Sequence, residues 1–365
     1  MKRLAAIILL PLLAACAAAP PTDASAVARH TFRGATMGTT YAVTVVGRGI
    51  DEPRLAGLRA AVQAALDEVD ATMSHYRPDS DLSRFNRWRE TAPFPVAAGL
   101  VAVVRESIAI SDTTGGALDV TVAPLVDAWG FGAPGPATAL PTETEIDALR
   151  RDVGYRYLEV DEASSTLRKE RPGVRIDLSS IAKGHGVDRA AEALAAGGIV
   201  DYLVEVGGEV RAHGTTETGA PWQVGIEGPR PGRSAIRRVV PLGDGALATS
   251  GEYRNFYDLA GVRVSHTIDP RTGRPVTHRL RAVSVLADRC ARADGLATAL
   301  EVLGPDEGYA LAAERGWAAL FVVEEDGGAL RDRLTPAFEA LVRPGGRTGS
   351  SRGGGFALLR RKLLQ

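Results

Sequence analysis

Asp294 and Thr298 stand four residues apart in "ARADGLATALEVLG", a stretch with helical patterning, so a carboxylate and a hydroxyl project from one face about a turn apart. Oxygens so placed suit a hard cation such as Mg²⁺, which keeps one or two carboxylates and takes its other ligands from water and phosphate. Asp294 could equally favour a helix start, and Thr298 could bond its own backbone. In "RIDLSSIAKGHGVD" an apolar run leads into Ser179 and Ser180 where a helix pattern begins, with Lys183 one turn on. Free N–H groups and the positive helix end suit a phosphate there, although a serine N-cap with a solvated lysine fits the same residues. His266, flanked by Ser265 and Asp269 in a turn-rich stretch, has the chemistry of a general base near neutral pH, but a lone histidine is more often structural. In "GATMGTTY" and "MSHYRPDSDLSRFN" glycines, serines and acids crowd around Met37 and Tyr76. A flat aromatic ligand could lie there, and ordinary core or turn packing explains both side chains as well. "TGGALDVTVAPLVDAWGFG" signals only a tight turn about Asp119 and aromatic packing at Trp129 and Phe131.

The elements that must position these groups follow from periodicity. "TTYAVTVVG" alternates like a strand, and Leu55, Leu58, Val62, Leu66 and Val69 recur at helical spacing. A second helix is predicted over residues 100–110, before the Gly115-Gly116 turn. "GVRIDL" predicts a strand, "SSIAKGHGVDRAAEALAAGG" a helix closed by glycines, and "DYLVEVGGEVRAHG" strands around a glycine pair. Several short β runs continue to Asp269. The mixture predicts an α+β fold rather than a repeated βαβ unit. No G-x-G-x-x-G follows a strand, and no Walker loop, G-x-S-x-G elbow or H-E-x-x-H occurs, which sets aside Rossmann dehydrogenases, P-loop enzymes, common serine hydrolases and zincins. His30, His75, His185, His213, His266 and His278 form no close pair, which disfavours a zinc cluster.

The chain has 365 residues, 45% apolar and 24% charged, enough for a sizeable core and roughly two domain-equivalents. Lys and Arg total 43 against 44 Asp and Glu, so nothing draws the molecule to nucleic acid. Cys16 and Cys290 are its two cysteines, which excludes a disulfide framework. Lys2 and Arg3 precede an apolar stretch of residues 4–13, short for the ~20 that span a membrane, and residues 1–15 read as a signal peptide. It ends in Leu13-Ala14-Ala15-Cys16, which resembles the bacterial lipobox whose cysteine is acylated; plain cleavage among the alanines is the other reading. Residues 16–29, rich in Ala and Pro, are expected to form a tether, residues 30–343 the folded domain, and residues 344–365, rich in Gly, Ser and Arg, a disordered tail.

Taken in order, "TMGTTY", "MSHYRPDSDLSRFN", "GGALDVTVAPLVDAWGFG", "IDLSSIAKGHGVD", "LVEVGGEVRAHG", "ATSGEYRNFY", "SHTIDPRTGRPV" and "ADGLATAL" resemble the signature blocks of the FAD:protein FMN transferase family, also called the ApbE family, across residues 36–341. Each block alone is weak, and the set in register is specific. The resemblance implies a T-fold-like α+β architecture of antiparallel sheets and packed helices, with the FAD site in a cleft between sub-domains. It implies that FAD is split at its pyrophosphate and its FMN moiety esterified to a Thr or Ser of an exported acceptor protein, releasing AMP. By the family's pattern Ser180, Asp294 and Thr298 hold Mg²⁺, with Mn²⁺ as the other candidate, and Ser180 acts through its hydroxyl or its carbonyl. Met37, Tyr76, Ala117, Leu118, Asp119, Asp177, Lys183 and Ile268 line the FAD site, and His266 takes the acceptor's proton.

The implied acceptors are exported flavoproteins of respiratory electron transport with an Asp-x-Gly-Ala-Thr/Ser-like segment. The enzyme itself is implied to be a lipoprotein anchored through Cys16, facing the periplasm, with Ala17 pointing to the outer membrane. Several positions depart from the family's wording: His75 replaces a small polar residue, His185 a tyrosine, Val120 a proline, and Ala297 a second acid. The last leaves Asp294 as the expected lone carboxylate on its helix face. His185 is read as a stacking or surface residue, with titration beside the phosphates as the lesser role. Two other functions fit the same blocks: an FAD pyrophosphatase that uses water in place of the acceptor, and a non-catalytic flavin-binding lipoprotein.

Overall fold

Thr39–Gly47 pairs along its whole length with Ala28–Thr36 and begins a sheet that runs through the molecule. The structure, a computed structural model, describes residues 26–229, 235–251, 256–259 and 262–342. The expected signal peptide, lipid-bearing Cys16, most of the tether and the tail lie outside the described residues. In chain order the elements are β1 (Ala28–Thr36), β2 (Thr39–Gly47), α1 (Glu52–Met73), α2 (Asp81–Arg87), β3 (Phe94–Pro95), α3 (Ala98–Thr113), α4 (Ala123–Ala128) and α5 (Glu143–Arg150). Next come β4 (Leu158–Asp161), β5 (Thr166–Lys169), α6 (Ala182–Ala196), β6 (Asp201–Val206), β7 (Glu209–His213), β8 (Trp222–Glu227), β9 (Ile236–Leu242) and β10 (Gly245–Ser250). The last are β11 (Phe256–Leu259), β12 (Val262–Ser265), β13 (Ile268–Asp269), β14 (Arg274–Pro275), β15 (Leu280–Ala287), α7 (Cys290–Glu314), β16 (Ala318–Glu324), β17 (Leu330–Leu334) and α8 (Pro336–Val342). β1 takes in Ala28 and Arg29, the last two residues of the expected tether.

The main sheet is antiparallel throughout, in the order β1-β2-β6-β7-β10-β15-β16-β17. One face carries α1, whose stripe Leu55, Leu58, Val62 and Leu66 packs with Tyr41, Val43, Val45 and Val204 of the sheet and with Val187 and Leu194 of α6. Burying each such side chain stabilises the fold by about 1.5–3 kcal/mol. Asp51 starts α1 by accepting from the Arg54 N–H at 3.0 Å, with Pro53 in the first turn. The other face carries the β8–β9 hairpin and α8, which bury Trp222, Val224, Ile226 and Phe338 against Leu203, Val210, Leu247 and Leu320.

A third core joins α3, the small sheet β3-β5-β4 and the first half of α7. A fourth joins Leu125 and Trp129 to Ile146, Val264 and Ile268. α7 bends at Gly304, whose φ of +80° is followed by Pro305, a residue with no N–H to continue the ladder. The mixed α+β architecture is the one the sequence predicts. "GVRIDL" departs from expectation: it makes one bridge, Arg175 to Val122, and no strand. The Asn86 side-chain amide takes the place of a strand partner, donating to the Ile176 carbonyl at 2.8 Å and accepting from its N–H at 2.7 Å. Among the described residues no helix is long and apolar enough to cross a membrane.

Candidate active site

The start of α6 and the first turns of α7 cross at close range because position 184 carries no side chain. A Cβ there would lie 2.4 Å from the Cys290 carbonyl oxygen and 2.8 Å from Asp294 Cβ. The Gly184 N–H donates to Asp294 Oδ2 at 2.9 Å. Burial pushes the Asp294 carboxyl up to about 7, opposed by the Lys183 charge and reinforced by Glu209. Lys183 donates to Glu209 Oε1 at 2.5 Å. Burial disfavours the ammonium, but the Asp294 and Glu209 carboxylates outweigh it and hold the pKa of Lys183 above its ordinary value. Glu209 follows a Gly207-Gly208 turn with φ of +61° and +113°, which side chains other than glycine resist. It is buried, and its Oε2 has no hydrogen-bond partner among the described residues.

Thr298 lies one turn along α7 from Asp294, and its Oγ1 is 3.0 Å from Ser250 Oγ. Ser180 precedes α6, and His266, on the link between β12 and β13, stands edge-on to Phe131 with ring centroids 6.3 Å apart. Ser180, Lys183, His266, Asp294 and Thr298 all line one cavity of about 1760 Å³. The structure thus brings together the residues predicted for cation, phosphate and base.

The residues predicted for the flavin line the same cavity with one exception. Tyr76 is 69% exposed at its rim and packs at a tilt against His75, ring centroids 4.0 Å apart. Asp177 is buried, accepts from the Ser179 N–H at 2.8 Å and lies 4.0 Å from His75 Nδ1. Ala117 and Leu118 leave a glycine turn whose φ values are +61° at Gly115 and +80° at Gly116. Ile268 is buried in the fourth core. Asp119 Oδ1 accepts from the Thr121 N–H and hydroxyl, and Oδ2 from the Tyr155 N–H. Burial raises its pKa while these bonds pull the other way, so its carboxylate is occupied in holding the loop. Met37 is the exception: it adopts φ of +45°, and its side chain packs against both helical cores, away from the cavity lining.

Sequence reasoning missed Glu209, Glu301 and Ser250, which also line the cavity. Glu301 sits seven residues after Asp294, so Asp294 is not the lone carboxylate along that face. Ala297 points instead into the apolar core. His185 is neither stacked at the site nor on the surface: it is buried in α6, and burial lowers its pKa to about 4. The only local signal for Glu209 was its place directly after a glycine pair.

The donors fit a hard cation. Among the described residues no three His, Cys, Asp or Glu side chains gather as a metal cluster. A site of one buried carboxylate plus hydroxyl and carbonyl oxygens is the kind that Mg²⁺ completes with water and phosphate. Arg33 and Lys183 are the lining's only Lys or Arg among the described residues, against acids that include Asp177, Glu205, Glu209, Asp294 and Glu301. A divalent cation bound there would offset the negative charge that a diphosphate brings.

An antiparallel α+β frame with one large cleft, a lysine beside a helix start and an imidazole in the wall has the form of an enzyme's ligand site. The model of the ApbE family matches residues 37–321. The FAD:protein FMN transferase of Vibrio cholerae is 43% identical over 296 residues, 81% of this chain and 87% of the relative. That of Salmonella typhimurium is 38% identical over 333 residues, 91% and 94% of the two chains. Among solved structures, flavin transferase ApbE from Vibrio cholerae superposes with a TM-score of 0.78 at 41% identity, covering 86% of this chain and 99% of that one. The apo flavinyl transferase ApbE of Pseudomonas stutzeri gives 0.80 at 38% identity, covering 90% and 100%. The chain belongs to the ApbE family.

Proposed function

We propose that this chain is an FAD:protein FMN transferase, joining the FMN half of FAD through its phosphate to a Thr or Ser hydroxyl of an acceptor protein and releasing AMP. The observation that carries the reading is the convergence of Ser180, Lys183, His266, Asp294 and Thr298 on one cleft from distant parts of the chain. In the reaction a bond forms between the acceptor oxygen and the phosphorus of the FMN half. The bond from that phosphorus to the bridging oxygen breaks, and AMP leaves with the oxygen. His266 takes the hydroxyl proton, a role worth about 10²- to 10⁴-fold. Lys183, fixed by Glu209, presents a permanent charge to the bridge. Asp294 and Thr298, with Ser180 through its hydroxyl or carbonyl, are the residues that would hold Mg²⁺, or Mn²⁺ in its place. Such an ion, when bound, neutralises phosphate oxygens and lowers their repulsion of the incoming hydroxyl. Tyr76, Ala117, Leu118, Asp177 and Ile268 form the wall for the flavin, with Asp119 bracing the loop.

The same reading makes Cys16 a lipid-bearing N-terminus and the enzyme a periplasm-facing membrane lipoprotein acting on exported flavoproteins. The lipobox sequence supports it, and intact-mass measurement of the exported protein tests it. The activity is tested by incubating the chain with FAD, Mg²⁺ and an acceptor. Covalently yellow acceptor with an equal amount of AMP is expected. Free FMN with AMP would mark a pyrophosphatase, and no AMP a flavin-binding protein.

A further inference from the structure

The cleft continues past the catalytic groups to the other side of the main sheet. Glu209 shares a cross-strand row with Val206 and Tyr41, which face the helices. The adjacent row points the opposite way: Arg33 pairs with Ala42, Ala42 with Glu205, Glu205 with Val210, and Val210 with Leu247. All five also line the cleft, on the face that carries the β8–β9 hairpin. β9 lies toward β17, where Arg237 and Arg238 pair with Asp332 at 2.5 and 3.0 Å. β8 is therefore the hairpin strand nearer β1. Among the described residues no strand pairs with its other edge, and Gln223, Val224, Gly225, Ile226 and Glu227 line the cleft.

An open strand edge is a template for another chain. This one borders a cavity of about 1760 Å³, larger than the roughly 300–1,000 Å³ typical of a single small-molecule site, so there is room for a second occupant. Arg33 is exposed on the floor, and no described carboxylate pairs with it. An unpaired guanidinium complements an acidic side chain of whatever enters. Resting on the transferase reading, we propose that this groove docks the acceptor: a segment of acceptor polypeptide lies extended along β8 as an added strand, pairs an acidic side chain with Arg33 and carries its hydroxyl toward His266.

The test uses the full-length enzyme, FAD, Mg²⁺ and an acceptor protein, with Arg33→Glu and Gly225→Trp as variants. A side chain at position 225 first meets the movable tip of Ile236, Cδ1 at 3.2 Å, and no backbone, so Gly225→Trp obstructs the groove without breaking the hairpin. Each variant should raise the KM for acceptor about tenfold or more, while the melting temperature and the KM for FAD stay at wild-type values. Changing the acceptor's acidic residue to lysine should restore Arg33→Glu. An acceptor KM within about twofold of wild type in both variants overturns the proposal, as does a shift in the FAD KM instead, which would give the groove to the dinucleotide. A wild-type chain that transfers no FMN overturns the transferase reading and this inference with it.

Discussion

Gly184→Ala puts a methyl group where α6 and α7 touch. The added Cβ would sit 2.4 Å from the Cys290 carbonyl oxygen, and ordinary contact begins at 3.4 Å, so the helices must part by about 1 Å. The partner atom is backbone, and no rotamer relieves the overlap. The same movement stretches the Gly184 N–H bond to Asp294 from 2.9 Å to about 3.9 Å, past hydrogen-bond range. Overpacking of this kind costs about 1–3 kcal/mol of stability. Displacing a positioned group by about 1 Å costs on the order of 10²-fold in rate. The assay is the initial rate of covalent flavin incorporation as Mg²⁺ is varied, alongside a melting curve. A folded variant with about 10²-fold lower rate and a raised Mg²⁺ requirement is expected. A rate within about threefold of wild type at the same Mg²⁺ would refute the argument that the α6–α7 contact sets Asp294.

His266→Ala should lose about 10²- to 10⁴-fold in transfer while still binding FAD; unchanged transfer removes the imidazole from the mechanism. Excess EDTA should stop turnover, and full activity in the chelator would refute the cation. Burial raises the folded-state pKa of Asp294 from 3.8 to about 7, so without metal the folded chain keeps a proton that the unfolded chain has released. This group's contribution to stability is full below 3.8, declines as pH rises and levels off above about 7. Mg²⁺ needs the ionised form, so the rise in melting temperature that it produces should grow as pH passes through about 7 and vanish in Asp294→Asn. A pH-independent rise would contradict the assignment. Glu209→Gln should lower the melting temperature and raise the KM for FAD, since Lys183 loses its charged anchor; an unchanged KM would show that Glu209 does not set the lysine.

The elements built on local period were legible in the amino-acid sequence. Leu55, Leu58, Val62, Leu66 and Val69 gave α1, and the alternation at Thr39–Gly47 gave β2. What escaped depends on contacts between distant residues. "GVRIDL" looks like a strand because it is apolar, yet the hydrogen bonds of Ile176 go to the side chain of Asn86, ninety residues earlier. Glu209 gained meaning only when its turn set it beside Lys183. Ala297 looked like a lost ligand and is a core residue, while Glu301 reaches the cleft from the next turn. Met37 carried a motif, but its side chain belongs to the packing.

The most direct measurement is a crystal structure of the chain with FAD and Mg²⁺ bound. An ion ligated by Asp294 and Thr298 with an oxygen of Ser180 is expected, with the diphosphate between that ion and Lys183 and His266 facing the phosphorus of the FMN half. A diphosphate bound outside this cleft, or an ion held by other residues, would contradict it.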